Sequence, residues 1–171
     1  MSYLNKYSID FKGLSLGSHS FEFKIGERFF SHFESSDVKL GRVKITVELY
    51  KASQNLKLDI ILRGIVKLQC DRCLEYFEKR IKHIAILNID FGEENSDLTD
   101  VDETITLSHN ESRLALAQHF YEYVHLSLPY KRTHKNIEDC NQDMIEKLKE
   151  HIVSDENKTD PRWDKLKIIY N

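Results

Sequence analysis

The chain has 171 residues, enough for a single domain with a real core. With 40% hydrophobic residues, 31% charged residues and a formal net charge of -3, it has no whole-chain field to attract nucleic acid, so such contact needs a local basic patch. No run reaches the roughly 18 apolar residues of a bilayer span, Met1 to Asp10 shows no secretory signal, and three cysteines are an odd number for a disulfide framework. A soluble, cytoplasmic protein with no membrane partner is expected, folded as one domain over 1–171.

In chain order, Tyr7, Ile9 and Phe11 alternate with polar residues, as do Phe21, Phe23 and Ile25; each set predicts a strand. Phe29, Phe30 and Phe33 suit a short helix within Glu27 to Glu34. The next strands are clearer. Val43, Ile45, Val47 and Leu49 share one parity. After a turn near Ala52 to Asn55, a long alternation runs from Leu56 to Cys70 with Lys57, Asp59, Arg63 and Lys67 on the other parity. Successive strand side chains point to opposite faces, so these strands are half-buried. Gly64 predicts a bulge or bend. A second long run, Tyr76 to Phe91, follows at once and predicts an antiparallel hairpin with Cys70 to Glu75 at its tip.

Residues 92–103 read as an acidic solvated loop, with six carboxylates between Glu93 and Glu103. Thr104 to Leu107 is strand-like. Ser108-His109-Asn110-Glu111 has the form of a capping box, and Leu114, Ala117, Tyr121, Val124 and Leu128 follow at helical spacing up to Pro129. Met144, Ile145 and Leu148 suit a short helix ending near Val153. Residues 154–159 read as a linker, and Asp160-Pro161 opens a C-terminal helix. The expected fold class is α+β: a curved, barrel-like antiparallel sheet built around the long hairpin, with a packed amphipathic helix and a short C-terminal helix.

Cys70 and Cys73 carry the strongest chemical signal. A Cys-x-x-Cys pair at a tight turn can present two thiolates to one metal ion, and structural zinc takes four ligands. The other thiol is Cys140, and His134 lies six positions before it, so the candidate metal set is Cys70, Cys73, His134 and Cys140 with Zn2+ as the cofactor. Two other readings stay open. Cysteine also serves as a small buried hydrophobe, and Cys70 continues the apolar parity of its strand. A thioredoxin-like redox pair would open a helix after a strand, whereas this pair lies between two strands. Arg72 sits between the cysteines at the expected tip, free to reach outward. With Lys79, Arg80 and Lys82 on the hairpin, and Lys131 and Arg132 after Pro129, it gives a candidate contact surface for RNA phosphates or a protein partner. An ordinary charged sheet face is the alternative. No phosphate-cradling glycine loop or nucleophile elbow occurs, and His109, His119 and His125 are not spaced as ligands on adjacent helical turns. Neither an enzyme nor a small-molecule substrate is expected.

Several of these segments together resemble the bacterial YceD family. Cys70-Asp71-Arg72-Cys73 after a long strand looks like its Cys-x-Arg-Cys signature, and Leu126-Ser127-Leu128-Pro129 like its Leu-x-Leu-Pro segment. His134 and Cys140 match the His or Cys positions that follow, and Asp160-Pro161-Arg162 resembles its C-terminal element. The ordered set covers 43–169. The resemblance implies support of large-subunit ribosomal RNA synthesis, processing or stability. A non-catalytic ribosome-biogenesis factor contacting precursor RNA or a ribosomal protein is therefore expected. The rival readings are a binding module for a basic ribosomal protein without RNA contact, and a metal-dependent RNA-processing enzyme or cofactor.

Overall fold

A computed structural model of the chain describes residues 3–34, 36–92, 103–108, 110–151 and 162. After a 3-10 turn at Tyr3–Lys6, the chain forms β1 (Ser8–Asp10), β2 (Gly17–Gly26), the single turn α1 (Glu27–Phe30), β3 (Leu40–Lys51), β4 (Asn55–Gln69) and β5 (Tyr76–Phe91). Then follow β6 (Glu103–Leu107), β7 (Arg113–Ala115), α2 (Ala117–Leu126) and α3 (Gln142–His151).

Five strands form one sheet in the order β2-β3-β4-β5-β6, and β1 with β7 forms a second sheet of two strands. The β4–β5 hairpin is the spine, in unbroken register from Asn55↔Asp90 to Gln69↔Tyr76. One face of the sheet is apolar because the odd positions of β3 and the even positions of β4 carry the aliphatic residues. Ile45, Val47, Leu49, Leu58, Ile60, Leu62 and Leu87 are all at most 1% exposed. Covering them are Tyr7, Ile9 and Phe11 around β1, Phe29 and Phe30 of α1, and Phe120, Tyr123 and Val124 of α2. Aromatic edges interlock there, with Tyr7 against Phe29 at 4.9 Å and Phe23 against Phe120 at 5.2 Å.

The expected barrel does not form. The sheet is neither closed nor strongly curled, because helices and the β1–β7 ribbon bury its apolar face and the sheet has no need to fold onto itself. Nor is it wholly antiparallel: β6 runs parallel to β5, from Leu87↔Glu103 to Phe91↔Leu107. The expected capping box does not start the helix either. Leu114 pairs with Ile9 in the small sheet, Arg113 grips Asp10 through Nε at 2.7 Å, and α2 begins only at Ala117. Ser108 instead closes a turn, its carbonyl accepting the Glu111 N–H at 2.9 Å. Tertiary pairing thus takes residues whose spacing alone suits a helix.

Gly64 also has a role other than the expected bulge, since Val43↔Gly64↔Ile81 is continuous in register. A Cβ at Gly64 would lie 2.4 Å from the Arg42 carbonyl oxygen and 2.6 Å from the Val43 Cα. Glycine is there because β3 passes too close for any side chain. The acidic segment 93–102, the linker 154–159 and the C-terminal helix expected from Asp160 lie outside the described residues, apart from Arg162 itself. Among the described residues, no helix is long and apolar enough to cross a membrane.

Candidate metal centre

Cys70 is the first residue past β4, and its side chain continues the buried parity of that strand. Its N–H donates to the Glu75 carbonyl at 2.8 Å, and its carbonyl accepts the Leu74 N–H at 2.8 Å. This tight tip requires a left-handed residue, and Leu74 takes it at φ 61°. The tip turns Cys73 back beside Cys70, and both thiols are at most 1% exposed.

The segment after α2 folds back against this tip. The Asp71 N–H donates to the Arg132 carbonyl at 2.7 Å, and the Arg132 N–H donates to Asp71 Oδ2 at 2.7 Å, a reciprocal clamp. Asn141 Nδ2 donates to Glu75 Oε1 at 2.8 Å. Between these two stitches the chain delivers His134 and Cys140. Ile145 of α3, with Met144 and Phe77, closes an apolar wall around the three cysteines, and the Phe77 and His134 rings lie 5.0 Å apart.

One ligand atom from each of Cys70, Cys73, His134 and Cys140 lies within 4.8 Å of the other three. His134 Nδ1 is 3.5 Å from Cys73 Sγ and 3.5 Å from Cys140 Sγ. For a tetrahedral ion with Zn–S about 2.3 Å and Zn–N about 2.0–2.1 Å, the sulfur–nitrogen edge comes to about 3.5–3.6 Å. Both observed edges match. A ring nitrogen has one in-plane lone pair or proton, so two equidistant sulfurs suit a ligand aimed between them at a shared centre. The sulfur–sulfur edge of the same tetrahedron is about 3.8 Å, so a zinc ion needs a contraction of at most about 1 Å. The buried Cys3His cluster can therefore hold a metal ion such as zinc.

The thiols are electrostatically unlike. Burial pushes the Cys70 thiol up, but hydrogen bonds from the backbone of Cys73, His134 and Arg72 and from the His134 side chain bring it down to about 5. Cys140 is pushed up to about 11, first by burial and then by hydrogen bonding to Cys73 and Cys70. Without a cation, one thiolate forms readily and opposes the next; a divalent ion removes that opposition. All three cysteines are free of disulfides.

The candidate contact residues scatter. Arg72 does not reach outward: its Nη2 donates to the His134 carbonyl at 2.7 Å and to the Asn136 carbonyl at 3.4 Å. It buttresses the ligand loop from inside. Arg132 Nη2 pairs with Asp37 Oδ2 at 2.9 Å. Lys131 is exposed on the loop. Lys79 shares the parity of Ile81 and points to the covered side of the sheet near its end, whereas Arg80 and Lys82 stand on the opposite, open face. The single hairpin patch expected from the sequence is thus divided between the two faces. Asp71 and Glu75, which position the ligands, carried no signal beyond their place in the turn, and Asn141 none beyond its place next to Cys140.

No curated protein and no solved structure matches the chain in comparisons with known proteins. One family does, described as Large ribosomal RNA subunit accumulation protein YceD, over residues 58–169, about two thirds of the chain. That span contains all four cluster residues, the hairpin that carries two of them and the loop that carries the others. The chain belongs to the YceD family, and membership implies a role in the accumulation of large-subunit ribosomal RNA.

Proposed function

We propose that the protein is a non-catalytic ribosome-biogenesis factor that supports the synthesis, processing or stability of large-subunit ribosomal RNA by contacting its precursor or a ribosomal protein. The Cys3His cluster carries this reading. Four protein ligands complete a tetrahedral sphere and leave no position for water or substrate, which is the arrangement of a structural zinc rather than a catalytic one. Cys70, Cys73, His134 and Cys140 hold the ion. It clasps the hairpin tip to the loop after α2 and fixes the exposed side chains around it, Tyr76, Tyr130 and Lys131, in one arrangement. Of the contact residues expected from the sequence, Lys79, Arg80, Lys82 and Lys131 stay exposed, while Arg72 and Arg132 brace the clasp.

The test has two parts. Protein purified under reducing conditions should carry one zinc per chain, and the Cys70→Ser variant should lose it. In a deletion strain, mature large-subunit RNA should fall; wild-type protein should restore it and the Cys70→Ser variant should not. Normal large-subunit RNA and normal subunit profiles in the deletion strain would refute the functional reading. Metal-free fresh protein would refute the clasp.

A further inference from the structure

The open face of the large sheet carries an unusual register. Lys24 of β2 lies opposite Lys44 of β3, Lys44 opposite Arg63 of β4, and Arg63 opposite Lys82 of β5. Four cations thus stand in one line across four strands, all exposed. Strands lie about 4.8 Å apart, so the line spans about 14 Å. Directly opposed like charges destabilise a sheet. Among the described residues, only Lys44 of the four makes an ion pair, to Glu22 at 2.5 Å. The next rung adds Arg42 and Arg80 on either side of Ile65.

Charge on this face is biased between its two halves, although Glu78 lies opposite Lys67. Beyond those two rungs, Lys67 and Tyr76 stand at the tip end, the ammonium 5.8 Å from the centre of a ring that is 59% exposed. Glu48, Asp59 and Asp90 occupy the other end of the same face together with Lys57, which pairs with Asp59 at 3.4 Å. A chain of net charge -3 has therefore placed seven of its cations on half of one face beside two carboxylates, Glu22 and Glu78, against its own average. Departures from local consistency of this kind are expected at functional sites.

We propose that this half-face is a docking track for the sugar–phosphate backbone of RNA, with Lys24, Lys44, Arg63 and Lys82 on the phosphates and Tyr76 as a stacking platform for an unpaired base. It deepens the RNA arm of the function proposed above and rests on it. The row selects against a basic ribosomal protein as the occupant of this face, because such a partner would meet like charge. The acidic end bounds the track on one side, since a strand straying along the sheet towards Asp59 and Asp90 is repelled.

The experiment uses the full-length, metal-loaded protein and a short fluorescein-labelled single-stranded RNA, read by anisotropy across a salt titration. The triple variant Lys24→Gln, Arg63→Gln, Lys82→Gln should flatten the slope of log K against log salt by about 2 and weaken binding about a hundredfold at 0.1 M salt, at about 0.7 counterions per contact. Its melting temperature should stay at or above that of the wild type, because opposed charges are removed. Arg63→Lys should keep the slope. A control variant, Lys12→Gln, Lys147→Gln, Lys149→Gln, should bind as wild type. An unchanged slope in the triple variant would overturn the track. Equal competition by polyglutamate would overturn the assignment to RNA in favour of an acidic protein. A triple variant that restores mature large-subunit RNA in the deletion strain, where Cys70→Ser does not, would remove the track and leave the clasp standing.

Discussion

Gly64→Ala tests the packing that creates the outer face. The added Cβ would sit 2.4 Å from the Arg42 carbonyl oxygen and 2.6 Å from the Val43 Cα, both backbone atoms, and 2.9 Å from a Val43 methyl. No rotamer change relieves a backbone contact, so β3 must retreat from β4 by about 1 Å to restore ordinary separations, against ladders that hold β4 on both sides. Overpacking of this kind costs about 1–3 kcal/mol, and the rigidity of a central strand places this case near the upper figure. For a chain of this size each kcal/mol moves the melting temperature by about 2–4 °C, so a fall of about 5–10 °C is expected by circular dichroism. Gly92→Ala is the matched control, because a Cβ there meets nothing within 4 Å; its effect should stay within about 0.5 kcal/mol. The same retreat moves Lys44 from Arg63, so RNA affinity should fall with stability. A Gly64→Ala protein that melts with the wild type would refute the close approach of β3 and β4.

Three further outcomes concern the clasp. Chelation should lower the melting temperature in a zinc-reversible manner, by about 3–4 kcal/mol or roughly 6–16 °C when free zinc had stood at a hundred to a thousand times its Kd; a melt indifferent to chelator counts against metal binding. Arg72→Ala should speed zinc release to a chromogenic chelator without changing the stoichiometry, since it removes the charge-assisted bonds to the His134 and Asn136 carbonyls; an unchanged release rate would deny Arg72 its bracing role. In reduced, metal-free protein, thiolate absorbance should rise near pH 5 as Cys70 ionises, with Cys140 following only near 11. The Cys70 thiol is depressed by folding, so its contribution is fully present above the unfolded value near 9 and is lost as pH falls towards 5; stability of the metal-free protein should decline with acidification across that window. A single thiolate wave near 9 would contradict the hydrogen bonding at the tip.

Strand period made much of this fold legible. Alternation over Val43 to Leu49, Leu56 to Cys70 and Tyr76 to Phe91 determined β3, β4 and β5, their buried faces and the tip between them, because side-chain direction in a strand depends only on parity. The same parity put Cys70 on the covered side, and turn length put Cys73 beside it. Local pattern could not determine partners distant in sequence. The parallel pairing of β6, the claim of β1 on Leu114, the return of Arg72 to the His134 carbonyl and the meeting of Cys70 and Cys73 with His134 and Cys140 all depend on how separate segments stack. Register is the clearest case. Lys24, Lys44, Arg63 and Lys82 are ordinary solvent-side residues in four separate strands, and a slip of one residue would send each to the other face. Only the pairing of the strands lines them up across the sheet: burial of the apolar parity on the opposite face excludes odd slips, and the tight turns at Ala52 to Asn55 and Cys70 to Glu75 exclude the even ones along β3, β4 and β5.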